Sequence, residues 1–122
     1  MRLEALPERR NGVRVLRAHG ELDVTAAPAV LPGVPDLVAD AAAVVLDLSA
    51  LSFFDSAGVR LVDQLSRECT RSRAPFRVVA PPRTPSRRVL ELVGLDALAD
   101  DDLPAALRAV GGAVGSGGAG GA

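Results

Sequence analysis

Lysine, tyrosine and tryptophan are absent from this 122-residue chain, and cysteine and histidine occur once each, as Cys69 and His19. Without lysine there can be no Walker-type phosphate clamp and no Schiff-base catalyst. One cysteine and one histidine exclude a disulfide framework and leave too few soft or imidazole ligands for a transition metal, so neither a metal nor a cofactor is expected. The only aromatics are three phenylalanines. Only Phe76 stands among the arginines, at the start of a segment that reads as a buried strand, which argues against direct nucleic-acid binding. No apolar run approaches the ~20 residues of a membrane-spanning helix. The opening "MRLEALPERR" lacks the apolar segment of a secretory signal, so the chain is expected in the cytoplasm, off the membrane. A net charge near −1 supplies no overall field toward polyanions or acidic lipid.

What is present reads as one ordinary globular domain. Hydrophobic residues make up 48% and charged ones 24%, which suffices for a core, while the length allows a single domain. Residues 1–110 are assigned to it. "GGAVGSGGAGGA", from residue 111 to 122, has too little apolar surface to offset its ordering entropy and is expected to be a disordered tail.

"RLEAL" and "VRVLRAHG" flank Asn11-Gly12, a pair suited to a tight turn, so the chain is expected to open with an antiparallel hairpin. "GELDVTAAPAVLPGVPDLVAD" follows as a turn and a helical stretch, which Thr25 or Asp23 could cap and which Pro32, Gly33 and Pro35 should break into two short pieces. "AVVLDLSAL" is β-branched and almost wholly apolar, as in a central strand covered on both faces. After "FFDSAG" a stripe at Val59, Val62, Leu65 and Cys69 predicts a helix ending near Arg71 and stopped by Pro75. "FRVVA" reads as another buried strand. In "TPSRRVLELVGL", Thr84 is the expected cap, Pro85 the first helical residue, and Val89, Leu92 and Val93 the apolar stripe. Gly94 is the expected left-handed stop, with Leu95 folding back on Leu90. A short strand in "DALAD" and a helix in "DLPAALRAV" complete the order. This alternation implies an α/β fold: a mixed, mainly parallel sheet of four to five strands flanked by helices.

The junction "FFDSAG" places Asp55 and Ser56 between a strand and a helix, and three readings compete for the serine. It could cap the helix by accepting an amide hydrogen. It could be a nucleophile on a strand-turn-helix elbow, but the glycine pattern is incomplete and His19 is the only available base, which disfavours a hydrolase. Its hydroxyl could be a phosphoryl acceptor, since a helix N-terminus stabilises an anion and a phosphate beside Asp55 would make the surface sharply more negative.

"GELDVTAAPAV", "VVLDLSALSFFDSAGVRLV", "FRVVAPPRTPSRRVLELVGLD" and "LADDDLPAAL" together resemble the anti-sigma factor antagonists, members of the STAS domains (sulphate transporter and anti-sigma factor antagonist). The likeness runs in order over roughly residues 10 to 110, and G-E-L-D with D-S-x-G at this separation carries it. The resemblance implies a partner-switching protein with no catalysis of its own, monomeric when free. It implies that Ser56 is the phosphoacceptor for an anti-sigma factor with serine kinase activity. The unphosphorylated antagonist binds that kinase and frees a sigma factor, and a serine phosphatase resets the cycle. It places Asp23, Asp55, Glu21, Ala57 and Gly58 on the partner-facing surface. Many relatives carry a second hydroxyl residue after the serine; here Ala57 leaves one acceptor. Ala26 also departs from the family's hydroxyl near the A-P pair. A structural STAS subunit of a transport or signalling complex, never phosphorylated, is the alternative.

Seven arginines and only one acid, Glu68, lie between residues 67 and 88; solvated helix ends are favoured there over a docking stripe. Of Phe53 and Phe54, which point opposite ways in a strand, Phe54 is assigned to the core. Cys69 is expected to be a small buried apolar residue, His19 a strand-surface residue, and Asp100 to Asp102 a solvated turn in preference to a cation site.

Overall fold

The computed structural model describes residues 2–6, 11–22 and 33–111. Its elements are β1 (Arg2–Ala5), β2 (Val13–Leu22), α1 (Val34–Val38), β3 (Ala43–Asp47), β4 (Leu51–Phe54), α2 (Ser56–Arg71), β5 (Phe76–Val79), α3 (Pro85–Leu92), a 3-10 turn at Asp96–Leu98, and β6 (Ala99–Asp100). A last helix, α4, covers residues 103–111. The described strands form one sheet in the order β1-β2-β3-β5-β6, with β4 also paired to β2. The β1–β2 pair is antiparallel, with Leu3 opposite Ala18, and the other pairings are parallel. The expected opening hairpin and mainly parallel sheet are both present. Gly12 takes a φ of 78°, but the turn residues 7–10 lie outside the described part, as do Thr25, Ala26 and Pro32.

Alternation along the strands builds a core on both faces. Leu16, Ala18, Val44, Leu46 and Val78 point to one side, where α1 contributes Val34 and Val38, α2 contributes Leu61, Val62, Leu65 and Cys69, and α3 contributes Leu90. Val13, Val15, Ala43, Val45 and Val79 point to the other and meet Ala106 and Val110 of α4. All five residues of β3 are buried, which is why its sequence is apolar without alternation. Pro35 falls in the first turn of α1, where it removes no helical hydrogen bond, so it starts this short piece.

The described strands number six where the sequence predicts four to five, because β4 is an additional strand. The stretch "AVVLDLSAL", expected as one strand, ends as a strand at Asp47, and a separate strand β4 starts at Leu51 and runs into the two phenylalanines. Asp47, 2% exposed, ends β3 by accepting from the Ser49 amide at 3.0 Å, the Ser49 hydroxyl at 2.6 Å and Arg17 Nε at 3.2 Å. The amide of Leu51 then donates to the Leu48 carbonyl at 3.1 Å, closing a turn from which β4 departs. In parallel, β2 continues past its expected end at Gly20. Gly20 adopts a φ of 85° at a shift in register, a conformation that other residues resist. Residues 13–17 therefore pair with β3, and residues 20–22 with β4. That bulge brings the backbone of Glu21 opposite Phe53, two residues before Asp55.

α3 confirms its local signals and corrects its stripe. Thr84 Oγ1 accepts from the Arg87 amide at 3.3 Å, Pro85 opens the helix, and Gly94 has a φ of 79°. The Leu95 amide donates to the Leu90 carbonyl at 2.8 Å, the expected fold-back. Of the expected stripe Val89 is half-buried against the core, but the fully buried residues are Ser86 and Leu90. Leu92 (78% exposed) and Val93 (49%) face outward. The apolar pattern was phased wrongly because the small buried Ser86, within 3.2 Å of Thr84 Oγ1, carries no weight in a hydropathy pattern.

Candidate functional site at the start of α2

β4 and α2 meet at Asp55, whose extended backbone (φ −131°, ψ −158°) makes it the residue that caps the helix. Its carboxylate accepts the Ala57 amide hydrogen at 2.9 Å, and its carbonyl accepts from the Val59 amide at 3.1 Å. Ser56 is therefore not the cap, contrary to the simplest reading of the sequence. It is the first helical residue, exposed, and among the described residues its hydroxyl has no hydrogen-bond partner. An acid already in the capping role leaves the serine oxygen free at a place where the helix dipole favours negative charge.

Packing fixes the position of this residue. Phe54 is 4% exposed and points into the core, as its sequence reading has it, while Phe53 is 45% exposed on the opposite side of the strand. The Phe54 ring lies over the first turn of α2. A Cβ built on Gly58 would stand 2.6 Å from Phe54 Cδ2 and closer still to Cε2, so only glycine allows this approach. Ala57 and Gly58 are both buried. They hold the helix start in place and present little side-chain surface outward, unlike Asp55, Ser56 and Phe53. Below them the expected stripe of Val62, Leu65 and Cys69 is buried and Val59 is half-buried.

Of the other acids assigned to this surface, Glu21 contributes its backbone pairing to β4, and Asp23 lies outside the described residues. Arg60, one helical turn after Ser56 and exposed, is passed over by motif reasoning. Its signal was the four-residue spacing, which any helix offers.

The arginine-rich stretch is largely consumed by structure. Arg77 makes a two-pronged pair with Asp100, Nε to Oδ2 at 2.8 Å and Nη2 to Oδ1 at 3.0 Å. The hydrogen bond with Asp100 raises the guanidinium pKa above its ordinary value. Arg87 meets Asp101 at 3.0 Å, and Asp102 caps α4 by accepting from the Ala105 amide at 2.8 Å. The three consecutive acids thus serve three separate contacts, and among the described residues no group of histidine, cysteine or acid side chains converges as a metal site. His19 of β2 pairs with Glu4 of the edge strand β1 at 3.1 Å. No helix among the described residues is long and apolar enough to cross a membrane.

Comparison with known proteins places this geometry. The STAS domain family model matches residues 5–104. The anti-sigma-F factor antagonist RsfB of Mycobacterium tuberculosis is 39% identical over 87 residues, which is 70% of each chain. The structure of the anti-sigma factor antagonist SpoIIAA in its unphosphorylated form superposes with a TM-score of 0.74 at 25% identity, covering 90% of this chain and 97% of that one. An anti-sigma factor antagonist from Mycobacterium paratuberculosis superposes with a TM-score of 0.73 at 34% identity, covering 89% and 94%. By its family-model match and its relatives, the chain thus belongs to the STAS domain family, where it stands with the anti-sigma factor antagonists.

Proposed function

We propose that this protein is an anti-sigma factor antagonist switched by phosphorylation of Ser56. Unmodified, it binds a cognate anti-sigma factor with serine kinase activity and so releases a sigma factor. The observation that carries the reading is the free, exposed Ser56 hydroxyl beside a capping Asp55. The relatives carry the antagonist role by name, and SpoIIAA is described in an unphosphorylated form.

The modification is a phosphoryl transfer from ATP. The Ser56 O–H bond breaks as Oγ bonds to the γ-phosphorus. The bond from that phosphorus to the ADP oxygen breaks, and the hydroxyl proton passes to a base of the kinase. The product carries about −1.5 to −2 charge at neutral pH, next to the Asp55 carboxylate. A partner surface fitted to a neutral hydroxyl then faces like-charge repulsion and desolvation, enough to lower affinity roughly 10- to 100-fold. Asp55, Asp23 and Glu21 form the acidic surround of the docking surface in this reading, with Ala57 and Gly58 letting the partner approach closely. A serine phosphatase restores the hydroxyl. The protein is a substrate and binding module in the cytoplasm, not an enzyme.

Incubation with the candidate kinase and ATP tests this directly. One phosphate should be incorporated, and none in Ser56→Ala. Ser56→Asp should bind the kinase 10- to 100-fold more weakly with its melting temperature nearly unchanged. Absence of incorporation, with affinity indifferent to Ser56→Asp, would instead favour a structural STAS subunit.

A further inference from the structure

Seven residues after Ser56, α2 repeats the serine's relation to Arg60 with an acid in its place. Asp63 Oδ2 lies 3.0 Å from Arg67 Nε, four residues on, with the acid on the N-terminal side, the more stabilising order for such a pair. Ser56 and Arg60 have the same spacing. Separations of four, three and four place residues 56, 60, 63 and 67 along one stripe of the helix. That stripe is turned outward: Ser56, Arg60 and Arg67 are exposed and Asp63 is half-buried, while Leu61, Val62, Leu65 and Cys69 form the buried face.

The other arginines of α2 have acid partners, Arg67 in Asp63 and Arg71 in Glu68 at 3.6 Å. Among the described residues Arg60 has no ion pair. Four positions before it stands Ser56, and Asp63, three positions after it, is engaged by Arg67. A phosphate on Ser56 would also gain from a counter-charge, because the Asp55 carboxylate beside it, which holds the Ala57 amide at 2.9 Å, repels it.

We propose that Arg60 is the internal partner of phosphorylated Ser56, so that modification completes an ion-pair ladder of phosphate, Arg60, Asp63 and Arg67 along the outer face of α2. This rests on the reading of Ser56 as a phosphoacceptor. A guanidinium binds phosphate through two parallel hydrogen bonds. The switch then has two parts: a negative charge arrives at Ser56, and the exposed cation of Arg60 is drawn back onto it and away from any partner.

The test installs phosphoserine at position 56 during synthesis and follows the phosphate's second ionisation by phosphorus NMR. In the otherwise unaltered chain this ionisation should fall about 0.2 to 0.4 of a pH unit below that of the Arg60→Gln form, the size of an exposed helical ion pair. The gap should close in high salt, and Arg60→Lys should recover part of it. The unphosphorylated Arg60→Gln protein should melt like the parent, since the residue is exposed. Equal ionisation in the two phosphoproteins would overturn the ladder. Because the phosphate is supplied chemically, failure of any kinase to modify Ser56 would sink the phosphoacceptor reading and leave this titration standing, whereas equal titrations in a protein that a kinase does modify would sink the ladder alone.

Discussion

The contact between Phe54 and Gly58 fixes how closely the first turn of α2, which carries the serine, sits against β4. Alanine is about 1 kcal/mol better than glycine inside a helix, so propensity alone would favour Gly58→Ala. The added methyl would sit 2.6 Å from Phe54 Cδ2 and closer still to Cε2, on a side chain that is 4% exposed. The expected outcome is a loss of about 1–3 kcal/mol from overpacking, read as a lower urea midpoint, with partial recovery when Phe54→Leu is added in the same chain. A single variant as stable as the parent would show that the ring yields freely. At this scale the sequence identifies the junction and assigns Phe54 to the core. It does not decide which of two adjacent oxygens caps the helix. Asp55 and Ser56 both suit that role, and the choice depends on which backbone is still extended, a matter of one residue in where α2 begins.

Short-range signals make α3 legible as an element: Thr84, Pro85 and Gly94 act through the backbone within one turn and need no tertiary partner. The split between β3 and β4 has no such local signal. It depends on Asp47 being held by Ser49 and by Arg17 from the neighbouring strand, and the extension of β2 depends on β4 being there to pair with it. The same logic separates the arginines. Arg77 joins β5 to the two-residue β6 through Asp100 and also donates to the Ala97 carbonyl at 2.9 Å, and both side chains are largely shielded, 26% and 17% exposed. Arg67 pairs with Asp63 at the surface, with 73% of its own side chain exposed. Arg77→Ala should therefore cost about 1.5–3 kcal/mol, as charged hydrogen bonds do when partly buried, and Arg67→Ala at most about 0.5 kcal/mol. Paired denaturation curves measure both. Equal losses would mean that β6 is held by its backbone pairing alone.

The composition of the whole molecule turns one buried side chain into a clean probe of the core. The two-sided sheet was legible because its central strands are apolar on both faces, and Cys69 fell on the right stripe of α2. The depth of its burial was not legible, since it depends on the other elements that share this core. Burial, with a smaller contribution from the Glu68 carboxylate, pushes the Cys69 thiol up from 9.0 to about 12. In the unfolded chain the thiol ionises near its ordinary value, so between about pH 9 and 12 the folded state keeps a proton that the unfolded state has lost. Stability must then fall as pH rises through that window. The chain has no lysine or tyrosine, and arginine stays charged throughout, so no other side chain titrates there. The melting temperature should decline from pH 9 to 11 in the parent and stay nearly level in Cys69→Ala, which starts lower for the lost volume. A thiol reagent at pH 8 should label the native protein only as fast as it opens, and denaturant should release that reaction. Rapid labelling of the native state, or an alkaline decline undiminished in Cys69→Ala, would show that the helices do not seal this side of the sheet.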